Sequence, residues 1–161
     1  MILEIDYIMK GFNFIMNEFI NKRVDELIEE YKKYGQIIIA YDFDGTVVKL
    51  DKTKLTKDRD PQIRICELLR KIKLYAHLIL WTCRDIKNTT DDGSLYEAIL
   101  WLNEYNVPWN EINKNTLVDF GGSKIFANIY LDDRAGINES FEILLNFYEK
   151  ITKKVENLAN E

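Results

Sequence analysis

The chain has 161 residues, of which 47% are apolar and 30% are charged, and its formal net charge at pH 7 is −5. This length and composition are typical of one globular domain and exclude an intrinsically disordered chain. Two cysteines are too few for a disulfide scaffold, and the acidic balance argues against generic nucleic-acid binding.

The first ten residues do not resemble a targeting signal. Glu4 and Asp6 stand where a secretory signal carries positive charge. The apolar stretches of the chain are far shorter than the ~20 residues of a membrane-spanning helix. We therefore expect a cytoplasmic protein that does not contact membranes.

A long amphipathic helix is predicted over residues 13–34, followed by a buried strand over 37–41. Apolar residues recur at three- and four-residue spacing up to Tyr31, and Gly35 is a typical helix stop. The strand is continuously apolar and rich in β-branched residues, which is typical of a strand covered on both faces.

Helices and strands alternate along the rest of the chain. The predicted elements are a polar loop over 46–60, a helix over 61–75, a strand over 76–81, a helix over 94–105, a short strand near 112, a strand over 125–131 and a helix over 137–151. This alternation predicts an α/β fold, a three-layer Rossmann-like parallel sheet with helices on both faces.

Three segments are predicted from this order of elements. Residues 1–35 form an N-terminal helical extension, residues 36–151 form the α/β domain, and residues 152–161 form a polar tail that frays. The extension packs on the sheet, partly closes the site or forms a homodimer contact, and its apolar face alone does not decide among these.

Polar side chains collect where three predicted strands end. Asp-Phe-Asp-Gly-Thr occupies 42–46, Trp-Thr-Cys-Arg occupies 81–84, and Asp-Asp-Arg occupies 132–134. The carboxyl ends of parallel strands meet at one edge of a sheet, where ligands bind. Four carboxylates placed together repel one another unless a cation lies among them, and oxygen ligands suit Mg²⁺. The four are Asp42, Asp44, Asp132 and Asp133.

The order of these pieces resembles the haloacid-dehalogenase-like superfamily of phosphatases over about residues 37–136. Residues 42–46 match the first motif, Asp-x-Asp-Gly-Thr, and Thr82 matches the second. Lys124 is the match for the third motif, and Asp132-Asp133 matches the acidic fourth motif.

The resemblance implies a Mg²⁺-dependent phosphomonoesterase. Asp42 would attack phosphorus to form an aspartyl-phosphate, and Asp44 would serve as the general acid and then as the base. Thr82 would donate a hydrogen bond to a phosphoryl oxygen, and Lys124 would neutralise the phosphate. The substrate-binding residues predicted beside them are Gly45, Thr46, Cys83 and Arg84.

The implied metal ligands are the Asp42 carboxylate, the main-chain carbonyl of Asp44 and one residue of the last acidic pair. Asp133 is the preferred ligand, with Asp132 as the supporting acid. Gly45 would let the backbone turn sharply after the strand.

Several roles remain open from the residues themselves. Lys124 precedes a strand, where a solvated lysine is also typical, and Lys114 is the alternative. Arg84 either grips a substrate phosphate or forms a surface ion pair. Cys83 is either a small buried residue or a reactive thiol.

The gaps between the motifs bear on the substrate. Residues 45–81 and 85–123 leave no room for a separate cap domain, so the resemblance implies an open site that suits larger substrates. Residues 49–73 carry nine Lys or Arg and four acids, a basic segment that either attracts an anionic substrate or is a solvated surface. The expected partner is a phosphorylated small molecule or a nucleic-acid end.

Three competing functions are weighed against this one. A response-regulator-like receiver domain would place its acidic pair first and its lysine last, which is not the order here. A catalytically silent phosphate-binding or regulatory module of the same fold remains the main alternative. A phosphotransferase or phosphonatase is the third, although the latter needs a lysine from a cap.

Overall fold

A computed structural model of the protein describes residues 2–85, 92–118, 120–122 and 124–159. The elements follow the predicted order. They are α1 (Ile2–Tyr34), β1 (Ile37–Tyr41), a 3-10 turn (Thr56–Asp58), α2 (Ile63–Ile72), β2 (Ala76–Leu80), α3 (Leu95–Glu104), β3 (Glu111–Ile112), β4 (Ile129–Leu131) and α4 (Ile137–Ala159). None of the helices in these described ranges is both long enough and apolar enough to span a membrane.

The four strands form one parallel sheet in the order β3-β2-β1-β4. Strand β1 lies in the interior of the sheet, and all five of its residues are buried. Its register places Ile37 opposite Ala76 of β2 and Ile39 opposite Ile129 of β4. The predicted α/β fold with a parallel sheet flanked by helices is confirmed, and the strand ends share one edge.

The two faces of the sheet are covered differently. On one face, Ile37, Ile39 and Tyr41 belong to a large core that includes buried residues of all four helices. On the other face, Ile38 and Ala40 belong to a smaller core with described residues of the segment between β3 and β4, namely Val118, Ile125, Phe126 and Ala127. This segment therefore supplies the cover over the second face.

Asparagine side chains continue the pairing of the short strands. Asn128, just before β4, donates its N–H to the Ile38 carbonyl (2.8 Å) and accepts from the Ile38 N–H through its side-chain oxygen (2.6 Å). Asn110 forms the same pair of bonds with Leu78, both at 2.7 Å. The predicted strand over 125–131 is wrong at its start, because Asn128 pairs through its side chain and β4 begins at Ile129.

Both terminal helices are longer than predicted. Helix α1 already begins at Ile2, so Gly11 and Asn13 lie inside the helix and not at its start. The helix continues through Gly11 because one interior glycine costs a helix only about 1 kcal/mol. Helix α4 continues to Ala159, so the predicted fraying tail is helical up to that residue. The Thr152 hydroxyl there donates to the Tyr148 carbonyl (2.9 Å).

Helix α1 packs on α4 and on the sheet. Its residues Val24 and Leu27 are fully or almost fully buried in the large core. Of the three predicted roles of the extension, packing on the sheet is therefore confirmed. A homodimer contact stays a prediction, for which the exposed Phe14, Ile15 and Phe19 offer an apolar surface.

Candidate active site at the carboxyl edge of the sheet

Three carboxylates meet at the carboxyl edge. Asp42 follows β1 and its N–H donates to the Leu131 carbonyl at the end of β4 (3.0 Å), which ties the two strand ends together. Asp132 and Asp133 follow β4 directly. Each of the three side chains offers one oxygen, and these oxygens lie within 4.8 Å of one another. The predicted meeting of Asp42, Asp132 and Asp133 is confirmed, and we call them the carboxylate triad.

The carboxylate triad is electrostatically suited to a divalent cation. The pKa of Asp42 is raised to about 6, mainly by burial and also by the negative charges of Asp132, Asp44 and Asp133, while a backbone hydrogen bond at Phe43 opposes the rise. A bound cation would remove this penalty on the ionised form. Three hard oxygen donors are the kind of ligand that Mg²⁺ takes in proteins.

We expect Mg²⁺ to stabilise the protein more at pH 8 than at pH 5. The folded-state pKa of Asp42, about 6, lies above the ordinary value of 3.8, so raising the pH through this window destabilises the metal-free protein. Below pH 6 protons compete with the metal. At about 100-fold excess over its Kd, Mg²⁺ is expected to raise Tm by roughly 5–10 °C at pH 8.

Thermal unfolding with Mg²⁺ or with EDTA at the two pH values measures this difference. Asp25→Asn, at an exposed position on α1, is the control and keeps the pH dependence. An equal Mg²⁺ shift at pH 5 and pH 8 contradicts the assignment of Asp42 as a ligand.

Gly45 and Thr46 position Asp133. Gly45 has a φ of +82°, and a β-carbon there would lie 2.6 Å from the Asp133 Oδ2 atom, so only glycine admits this carboxylate. The fully buried Thr46 accepts a hydrogen bond from the Asp133 N–H through Oγ1 (3.0 Å). Both residues hold a member of the carboxylate triad, and neither is among the described residues that line the cavity, so their substrate-binding role stays a prediction.

The Asp44 carboxylate is held by two arginines. Arg84 donates to both of its oxygens, from Nε to Oδ2 and from Nη2 to Oδ1, each at 2.7 Å. Arg59 adds a third bond from Nη1 to Oδ1 (3.1 Å). Both carboxylate oxygens of Asp44 are therefore bound by guanidinium groups. The predicted metal ligand of this residue is its main-chain carbonyl, which these bonds do not involve.

Arg84 forms a nearly buried ion pair. Its side chain is only 6% exposed, and Nη1 also donates to the Thr56 hydroxyl oxygen (3.1 Å) and to the Ser94 carbonyl (3.3 Å). The guanidinium carbon lies 4.6 Å from the centre of the Phe43 ring. The alternative prediction of a surface ion pair is wrong, because the Arg84 side chain is nearly buried. The predicted substrate-binding role would require Arg84 to replace its bonds to Asp44 with bonds to a substrate phosphate.

Sequence reasoning missed Arg59 and Asp92. Arg59 Nη2 lies 3.8 Å from Asp92 Oδ2, and Asp92 Oδ1 accepts from the Thr56 N–H (2.6 Å). That backbone bond lowers the pKa of Asp92, and the nearby arginines lower it further. We call Asp44, Arg59, Arg84 and Asp92 the arginine–aspartate cluster. The basic composition of 49–73 was the only available signal for Arg59.

Thr82 is fixed by Asn113, which sequence reasoning also missed. Asn113 accepts from the Thr82 N–H (2.8 Å) and donates to the Thr82 carbonyl (2.9 Å). The Thr82 hydroxyl oxygen accepts from the Arg84 N–H (3.3 Å), so its own proton stays available for a ligand. This geometry suits the predicted donor role.

The carboxylates and Thr82 line an open cavity of about 610 Å³. Cys83 is exposed at its wall, which excludes the buried alternative for this thiol. The described lining residues are Asp42, Asp44, Trp81, Thr82, Cys83, Arg84, Asp85, Gly93, Asp132, Asp133 and Arg134.

Lys124 is not among these lining residues, and neither is Lys114. Lys124 is exposed, and its Nζ lies 5.3 Å from the centre of the Tyr130 ring. The Tyr130 ring in turn contacts Trp81, which borders the cavity. The structure therefore does not bring Lys124 to the carboxylates, and the positive charges along the described part of the cavity wall come from Arg84 and Arg134.

One comparison with a solved structure supports the fold. Scans against protein-family models and curated proteins found no match. A solved structure of a conserved protein from Bacteroides thetaiotaomicron is 27% identical with a TM-score of 0.54, and the match covers 74% of this chain and 92% of that one. A structural-genomics target from Vibrio cholerae is 23% identical with a TM-score of 0.45, covering 71% and 98%. Neither protein carries a functional name.

Proposed function

We propose that the protein is a Mg²⁺-dependent phosphomonoesterase of the haloacid-dehalogenase type. The observation that carries the proposal is the carboxylate triad, whose oxygens lie within 4.8 Å of one another at the edge where Thr82 also lies. The proposed substrate is a phosphorylated small molecule or a nucleic-acid end, met in the cytoplasm and not at a membrane. The basic loop 49–59 supports an anionic ligand.

The proposed chemistry uses two steps. A bound Mg²⁺ supplies charge neutralisation and orients the phosphate. A carboxylate oxygen of Asp42 attacks phosphorus, the bond to the leaving oxygen breaks, and Asp44 donates a proton to that oxygen. Water then attacks the aspartyl-phosphate, Asp44 takes its proton, and free phosphate and the Asp42 carboxylate are regenerated. Thr82 donates to a phosphoryl oxygen throughout.

Asp44 must first release a guanidinium group. Both of its oxygens accept from Arg84 or Arg59, so an oxygen has to be freed before it carries a proton to the leaving group. A substrate phosphate offers Arg84 a second bidentate acceptor. Substrate binding would thus both engage Arg84 and free Asp44.

The same observation favours the second candidate function, a phosphate-binding module without turnover. If Asp44 never leaves the arginines, phosphate binds beside Asp42 and is not hydrolysed. The absence of Lys124 from the described cavity wall supports this candidate too.

One assay separates the two candidates. Purified protein is offered p-nitrophenyl phosphate with Mg²⁺ or with EDTA, and then nucleotides, sugar phosphates and phosphorylated polynucleotide ends. We expect turnover with Mg²⁺ that EDTA abolishes and that Asp25→Asn retains. Mg²⁺-dependent phosphate binding by calorimetry without any turnover supports the silent module, and neither binding nor turnover rejects both.

A further inference from the structure

Trp81 is a large aromatic residue at the cavity wall. It directly precedes Thr82, and its N–H donates to the Tyr41 carbonyl (2.8 Å), which fixes its backbone at the end of the sheet. The residue is 36% exposed, although the strand before it is largely buried. Trp81 is one of the described residues that line the cavity containing the carboxylate triad.

Tyr130 supports the indole. The two ring centres are 5.2 Å apart with planes tilted by 55°, and Tyr130 itself belongs to the packing around the smaller core. An aromatic side chain held by a neighbouring ring offers a preorganised surface to a flat ligand, since little conformational freedom is lost on binding.

Because of the charges that line the cavity, the affinity for a phosphate ester depends on contacts with the uncharged part of the ligand. The described residues that line it include five aspartates and two arginines, a formal charge of −3, and one Mg²⁺ would leave −1. A phosphate dianion therefore gains little affinity from the net charge of the site. Selectivity among phosphate esters must then come from contacts with the organic part of the ligand.

Resting on the proposed phosphomonoesterase function, we propose that Trp81 is a specificity-determining residue that stacks on the base of a nucleoside monophosphate whose phosphate lies at Asp42 and Thr82. The cavity of about 610 Å³ is in the size range of small-molecule pockets. Stacking on an aromatic side chain tolerates any base, so the substrate class is the nucleotide and not one particular base.

The test compares kcat/KM for a nucleoside 5′-monophosphate and for ribose 5-phosphate, which lacks only the base. Trp81→Ala is expected to lower the ratio of the two roughly tenfold, mainly through the KM of the nucleotide, and Trp81→Phe to retain most of it. Phe120→Ala, an exposed aromatic residue that does not line the cavity, is the control and keeps the ratio. An unchanged ratio in Trp81→Ala overturns the proposal while the phosphatase function stands.

A second measurement tests the stacking even if no phosphate ester is hydrolysed. Absence of hydrolysis would contradict the phosphatase function but not the stacking. The nucleotide is titrated into the Mg²⁺-loaded protein while tryptophan fluorescence is recorded. Saturable quenching that disappears in Trp81→Phe supports the stacked base, and quenching that survives in this variant, or no binding, overturns it.

Discussion

Asp42→Asn is expected to abolish Mg²⁺-dependent phosphate-ester hydrolysis, with a loss of about 10³-fold or more in kcat. The amide keeps the shape of the side chain but has no anionic oxygen to attack phosphorus, and removing the nucleophile of a hydrolase costs this much or more. The measurement is steady-state hydrolysis of p-nitrophenyl phosphate, with Asp25→Asn as the matched control.

The loss of activity in Asp42→Asn cannot be attributed to unfolding if the Tm of this variant is higher than that of the parent protein. Asp42 is partly buried, and other carboxylates lie around it, so the neutral amide is expected to raise the Tm of the metal-free protein. Activity within tenfold of the parent protein would rule out Asp42 as the nucleophile. A fall in Tm without Mg²⁺ would contradict the electrostatic account of the carboxylate triad.

Arg84→Met is expected to destabilise the protein by about 3 kcal/mol. Methionine retains packing against Phe43 but donates no hydrogen bond, and removing one partner of a buried ion pair typically costs 3–5 kcal/mol. Asp44 is a third exposed, which places the expected loss at the lower end. Urea unfolding followed by circular dichroism measures the change in the free energy of unfolding.

Lys150→Met provides the matched control for this variant. It removes the exposed ion pair with Asp25, for which we expect a change below about 1 kcal/mol. Arg84→Lys should recover only part of the stability, since lysine cannot bind both Asp44 oxygens in the bidentate manner. A loss in Arg84→Met no larger than that in Lys150→Met would show that the arginine–aspartate cluster contributes little to stability.

That the carboxylates share one edge of the sheet was predictable from strand direction. Once Ile37–Tyr41 is interpreted as a buried strand of a parallel sheet, the residue after it lies at the same edge as the residues after β4. The structure adds that β4 pairs directly with β1, which brings the three carboxylates together. The alternation of helices and strands then indicates the α/β fold without any knowledge of side-chain contacts. The need for glycine at position 45 follows from the same turn.

The arginine–aspartate cluster was not predictable in this way. Its members come from the end of β1, the loop after it, the end of β2 and the start of α3, and hydrophobic periodicity says nothing about how such a loop returns to the site. The asparagines at 113 and 128 were missed for a related reason. Their side chains replace strand backbone, and a strand pattern cannot show such a replacement.

The packing of α1 on α4 has a consequence for how the protein folds during synthesis. Helix α1 ends at Tyr34 and α4 begins only at Ile137, so Val24 and Leu27 cannot pack on α4 until all four strands have been translated. Contacts between segments so distant in sequence slow folding and leave apolar surface exposed to aggregation or chaperones. The nascent chain therefore carries an amphipathic helix that lacks its helical partner while it is translated, and the large core is completed only when α4 has been synthesised.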